Sequence, residues 1–89
     1  MLEIVRTNQF IKDTKLQKKR GKNLSKLFAI IETLSKEQKL DHKHKPHKLI
    51  GDWKDWSECH IEPDWLLIYG VQEKNLILAR TGTHTDLFE

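Results

Sequence analysis

The sequence predicts an α+β domain in the order β-α-α-β-β-β(-β): a first strand, a helical hairpin, then an antiparallel meander, with the helices packed on one face of the sheet. Three observations carry that expectation. Leu24, Leu27, Phe28, Ile31 and Leu34 recur at helical spacing. Gly21 and Asn23 lie between two helical patterns. The stretch from Trp56 to Thr81 alternates apolar runs with connections of hairpin length.

Residues Leu2 to Arg6 form a short β-branched run that reads as the first strand. Thr7 is placed to cap a helix beginning near Asn8 and passing through Phe10, Ile11, Asp13 and Leu16. That helix ends on Lys18, Lys19 and Arg20, cations that complement the negative end of a helix, and Gly21 stops it. Asn23 then caps the second helix. The turn between them is short enough to fold the two back as an antiparallel pair. From Glu37 to Pro46 the chain reads as a polar, basic loop closed by proline. A short segment at Lys48 to Ile50 and a turn at Gly51 and Asp52 follow. Three strands are then expected, at about Trp56 to Ile61, Trp65 to Val71 and Asn75 to Thr81.

The chain has 89 residues, 37% hydrophobic and 33% charged, which suits a single domain, residues 1–89, with one modest core. No run approaches the roughly twenty apolar residues of a membrane span, and the first residues hold no uninterrupted apolar region of a signal peptide. A cytoplasmic location with no membrane partner is therefore the expectation. The single cysteine, Cys59, lies inside an apolar strand pattern and is read as a buried thiol with no chemical role. A net charge of +3 leans the surface towards polyanions or an acidic partner.

Apolar pairing leaves one set of residues unexplained. Period two puts Glu58 and His60 on one face of their strand and Cys59 and Ile61 on the other, so His60 faces away from helices that cover Cys59. In the last strand Arg80 shares a face with Leu76 and Leu78; the sequence does not align the two strands, and the arrangement in which His60 and Arg80 share the open face is the natural one. With His47 after the loop, Asp64 in a turn and His84 in the tail, His60 and Arg80 complete a candidate constellation at the strand ends. These residue types suit phosphodiester cleavage. Attack of an RNA 2′-hydroxyl on phosphorus takes a base, an acid for the leaving 5′-oxygen and a cation for the developing charge. Histidine serves the first two and arginine the third. Asp64 either orients a histidine or acts as base.

The plainer readings stand beside this one: Asp64 after Pro63 is an ordinary turn residue, Trp65 an ordinary core residue, and each histidine alone an ordinary surface residue. Only the joint occurrence beside a basic loop favours chemistry. His42, His44 and His47 form HKHKPH, but a closed zinc site takes four ligands, usually with thiolates or widely spaced pairs. No metal and no cofactor are expected. Lys18, Lys19, Arg20 and Lys22 form either a solvated helix end or a track for a phosphate backbone.

Three motifs carry a family resemblance: HxLxGxW around His47, CHIEPDWLLIY from Cys59 to Tyr69, and RTGTHTDLF from Arg80 to Phe88. Through them the chain resembles the YafQ-type toxins of the RelE/ParE superfamily, ribosome-dependent mRNA endonucleases of bacterial type II toxin–antitoxin systems. The resemblance covers essentially the whole chain. It implies a RelE-like fold, with His47, His60, Asp64 and His84 as the acid–base set and Arg80 on the scissile phosphate. Trp65 and Phe88 would help to hold the mRNA. It implies as partners mRNA, the ribosome with its RNA, and a cognate antitoxin whose complex represses its own operon. Pro46 stands where the family often has an acidic residue, and Ser57 where it often has arginine. Two rival classes remain open: a ParE-like gyrase poison without nuclease chemistry, and a basic nucleic-acid-binding module whose histidines are incidental.

Overall fold

The computed structural model describes residues 1–88. The first strand is β1 (Glu3–Arg6), and the helices are α1 (Asn8–Lys19) and α2 (Leu24–Ser35). Thr7 accepts the Phe10 N–H at the start of α1, and the Asn23 side chain accepts the Ser25 N–H at the start of α2. Gly21, at φ 84°, makes the turn between the helices in a conformation a side chain would strain. The strands that follow are β2 (His47–Lys48), β3 (Ser57–Glu62), β4 (Trp65–Gln72) and β5 (Asn75–Gly82). A short helix, α3 (His84–Phe88), ends the described chain.

The sheet runs β1-β5-β4-β3-β2, with β1 parallel to β5 and the other pairs antiparallel. The predicted α+β class, element order and one-sided helical layer are all present. On the helical face Phe10, Leu27, Ile30 and Ile31 pack against Cys59, Trp65, Leu67, Leu76 and Leu78. Within the predicted stripe of α2, Phe28 turns outward and Ile30 takes its place in the core. On the opposite face Leu66, Ile68, Ala79 and Leu87 make a smaller cluster, partly roofed by Leu49, Trp53 and Trp56. No helix among the described residues is long and apolar enough to cross a membrane.

Three local expectations are corrected. The loop after α2 contains a 3-10 turn at His42–His44, because Asp41 accepts the Lys43 N–H and caps it. The segment expected at Lys48 to Ile50 is instead strand β2, ending at Lys48. The expected tail is α3, closed by a reciprocal cap in which Asp86 accepts the Thr83 N–H and Thr83 Oγ1 accepts the Asp86 N–H. That helix is anchored by buried Leu87.

A bulge corrects the facing of Arg80. Strand pairing steps from Ile68 opposite Arg80 to Tyr69 opposite Leu78, leaving Ala79 as the extra residue. The alternation is shifted by one, so Arg80 shares the face of Ile68 and not that of Leu76 and Leu78.

Candidate active site

The register lays the polar residues out in two neighbouring rows on the face away from α1 and α2. His47 is opposite Glu58, Glu58 opposite Ile68, and Ile68 opposite Arg80. One step along, His60 is opposite Leu66, which is opposite Gly82. Directly opposed residues of an antiparallel pair project to the same side. His47, His60 and Arg80 therefore share one face, and in the case of Arg80 the bulge brings this about.

His60, Asp64 and His84 come together at one end of that face. Asp64, in the tight turn between β3 and β4, accepts both the backbone N–H of His84 at 3.0 Å and its ring Nδ1–H at 2.8 Å on Oδ1. The His60 and His84 rings lie 5.8 Å apart, and the Phe88 ring is 6.4 Å from that of His84. His60 directs Nδ1 to the Pro63 carbonyl at 3.2 Å. In both histidines Nδ1 is the donor, which leaves Nε2 as the nitrogen that can take or give a proton. The His84 backbone N–H and then its ring hold the Asp64 carboxyl below the usual carboxylate range. Asp64 thus stays anionic and keeps its partner ring in one tautomer.

The other candidates are held differently. His47 directs Nδ1 to the Lys45 carbonyl at 2.8 Å and Nε2 to Glu58 at 2.9 Å, so both ring nitrogens face oxygen acceptors. Arg80 forks onto Asp13, with Nε and a terminal nitrogen at 2.9 and 3.1 Å from its two oxygens. That bond raises the guanidinium above its ordinary pKa. Asp13 also accepts the Thr81 N–H at 3.2 Å, at the edge of β5 beyond the last residue paired with β1. Asp13 is buried, so the pair positions Arg80 from α1.

Trp65 is fully buried, and its indole donates to Thr81 Oγ1 at 3.0 Å. The Lys22 ammonium stands 5.9 Å from its ring centre. With no face open to a base, Trp65 is a core residue, and the expectation that it touches RNA is corrected. Of the four cations at the helix turn, Lys18 and Lys19 are exposed. Arg20 is engaged by both oxygens of Asp86, and Lys22 by Glu62. Those two tie elements together and are not free for a phosphate backbone. Arg20 holds the Asp86 carboxyl well below the usual range, and Asp86 caps the helix that begins at His84. Gly82 permits this approach, since a Cβ there would lie 2.8 Å from an Asp86 oxygen.

Two residues escaped sequence reasoning. Asp13 gave no signal beyond a carboxylate in a helix, whereas Asp86 belongs to a Thr-x-x-Asp capping pattern legible at Thr83. Among the described residues no group of three or more His, Cys, Asp or Glu side chains is arranged to hold a metal ion. His44 of the HKHKPH run turns to the His60 carbonyl, and His47 to Glu58.

A family model for the bacterial toxin of type II toxin–antitoxin systems, YafQ, matches residues 2–89. The mRNA interferase toxin YafQ of Escherichia coli strain K12 is 41% identical over 87 residues, which are 97% of this chain and 95% of that protein. The solved structure of YafQ from E. coli strain BL21(DE3) superposes with a TM-score of 0.94 at 39% identity over 100% of both chains. The toxin in the E. coli DinJ-YafQ complex matches at 0.91 and 40%, again over 100% of both. A metal-bound toxin from Helicobacter pylori matches at 0.93 and 42%, over 99% of this chain and 100% of that one. Family match, identity and fold agree along the whole chain: it belongs to the YafQ family of toxins of bacterial type II toxin–antitoxin systems.

Proposed function

We propose that this toxin is a ribosome-dependent mRNA endoribonuclease that halts translation by cutting the message in the ribosomal A site. The observation that carries this reading is the exposed cluster in which Asp64 holds His84 by two hydrogen bonds with the His60 ring beside it. The His84 Nε2 is the general acid for the leaving 5′-oxygen. His60 or Asp64 is the base for the 2′-hydroxyl, whose attack leaves a 2′,3′-cyclic phosphate. Arg80, fixed by Asp13, supplies the cation for the developing charge, and His47 assists from the adjoining row. Phe88, exposed beside His84, offers a ring against a base. Lys18 and Lys19 are left as exposed cations for ribosomal RNA. These groups meet the needs of the reaction as acid, base and cation, so the reading calls on no metal or other cofactor.

The partner in the resting cell is an antitoxin, and the complex represses its own operon. The E. coli relative crystallised in a complex with DinJ supports the antitoxin partner, as does an apolar groove of about 510 Å³ beside edge strand β1, with Ile4, Ile11 and Phe28 half-exposed along it.

The test is cleavage of a defined mRNA by the purified protein, with and without programmed ribosomes, mapping the cut and its end groups. Cutting on the ribosome that leaves a 2′,3′-cyclic or 3′-phosphate is the expected result. No cutting by folded protein in either case overturns the reading in favour of a gyrase poison or a binding module.

A further inference from the structure

A groove of about 760 Å³ separates α2 from the arm that joins it to β2. Ile30, Leu40 and Ile61 contribute its apolar surface, while Lys39, Lys43 and Lys45 line its arm side. The arm is built rather than loose. Asp41 caps the turn at His42–His44, and the His44 ring donates from Nδ1 to the His60 carbonyl at 2.7 Å. That carbonyl is available because β2 pairs with β3 only at Glu58 and Ser57, which leaves the rest of that edge of β3 without a strand. His44 therefore fastens the arm to the residue that also stands beside His84, and His60 itself lines the groove.

The charges do not cancel. Lys26, on the α2 side, is engaged by Glu62 at 2.9 Å, and Asp41 sets one carboxylate against the three lysines of the arm. Lys39, Lys43 and Lys45 are exposed and have no ion-pair partner among the described residues. Three free ammonium groups over an apolar floor suit a strand with phosphates on one side and bases on the other. The volume falls within the roughly 300–1,000 Å³ of clefts that enclose ligands of nucleotide size.

We propose that this groove is a binding subsite for the single-stranded message, holding a nucleotide next to the scissile phosphate. Its phosphate lies against Lys39, Lys43 and Lys45, and its base lies over Leu40 and Ile61. The proposal rests on the nuclease reading for what happens at the neighbouring cluster. Two observations select the message as occupant: the free ammonium groups over an apolar floor, and His60, which belongs both to the groove lining and to the cluster with His84.

The experiment measures binding of a fluorescent 2′-fluoro RNA of about ten nucleotides, within the span such grooves cover, which has no 2′-hydroxyl to attack. The parent and the triple variant Lys39→Gln, Lys43→Gln, Lys45→Gln are compared by anisotropy over a range of salt. Loss of three contacts at about 0.7 per phosphate makes the slope of log K against log salt shallower by about 2. Affinity near 0.1 M salt falls tenfold or more. All three lysines are exposed, so the melting temperature is unchanged; should the triple variant melt early, the three single variants are read instead. Affinity and slope both within twofold of the parent overturn the proposal. So does a variant that binds the oligonucleotide normally yet loses cleavage on ribosomes, since the lysines would then meet ribosomal RNA. A parent that binds the strand in this lysine-dependent way but never cuts would remove the nuclease reading and leave the subsite standing.

Discussion

One oxygen of Asp64 accepts two hydrogen bonds from His84, one from its backbone and one from its ring. A hairpin turn thereby sets both where α3 begins and which nitrogen of His84 is left to exchange a proton. Helix and histidine are positioned by the same carboxylate.

His84→Ala should abolish cleavage, and Asp64→Ala should slow it by roughly 10²-fold or more, the range in which a positioned acid or base acts. Neither ring nor carboxylate is buried, so both variants should melt close to the parent. Single-turnover cleavage beside a thermal melt separates the two effects. A His84→Ala protein that cuts at the parental rate would sink the assignment.

Removing Asp13 tests the support for Arg80. Asp13→Ala leaves a partly buried guanidinium without its fork and the Thr81 N–H without its acceptor, which should cost about 3 kcal/mol or more in urea unfolding. Cleavage should drop with it, because Arg80 is freed from its fixed orientation. An Asp13→Ala protein as stable as the parent would show that the pair contributes nothing to the fold.

Trp65→Phe is expected to lower stability by about 1–2 kcal/mol through loss of the indole bond to Thr81. RNA affinity should not change, because the ring is fully buried. A selective loss of RNA binding at unchanged stability would restore Trp65 to the RNA-contacting set.

Acid should weaken the fold in a defined direction. Asp86, Asp64 and Glu62 are all held below ordinary carboxylate values: Asp86 chiefly by Arg20, Asp64 by the His84 backbone N–H, Glu62 by Lys26 and Lys22. A depressed folded-state pKa stabilises fully above the unfolded value near 4 and is lost as pH falls through the folded value. The melting temperature should therefore decline from about pH 5 downward, and Asp86→Asn should lie lower at neutral pH with a flatter acid limb. Parallel profiles for the two proteins would show that Asp86 is not the principal group.

Burial pushes the Cys59 thiol up to about 12. In the native protein at about pH 8 it should resist iodoacetamide, and in denaturant it should react as a free thiol does. Native labelling at the rate of a small thiol would show that β3 opens on the timescale of the experiment.

What the sequence determined by itself is the local structure and the chemistry available to it. The stripe of α2, the caps at Thr7 and Asn23, the glycine turn and the two hairpin connections are written in neighbouring residues, because helix and strand periods are local properties. The residue types of the candidate site were equally legible, and the motifs around His47, His60 and Arg80 pointed to the family that the comparisons bear out. Only the tertiary structure decided who faces whom. A single extra residue at Ala79 moves Arg80 to the other face, and no periodic reading registers a bulge. Asp13 meets Arg80 across 67 residues and Asp64 meets His84 across 20, through pairings that exist only once strands and helices have docked. Trp65 shows the same limit from the other side. An indole in an apolar strand faces either core or solvent, and the choice rests on strand register and on whether Lys22 and Thr81 arrive beside it.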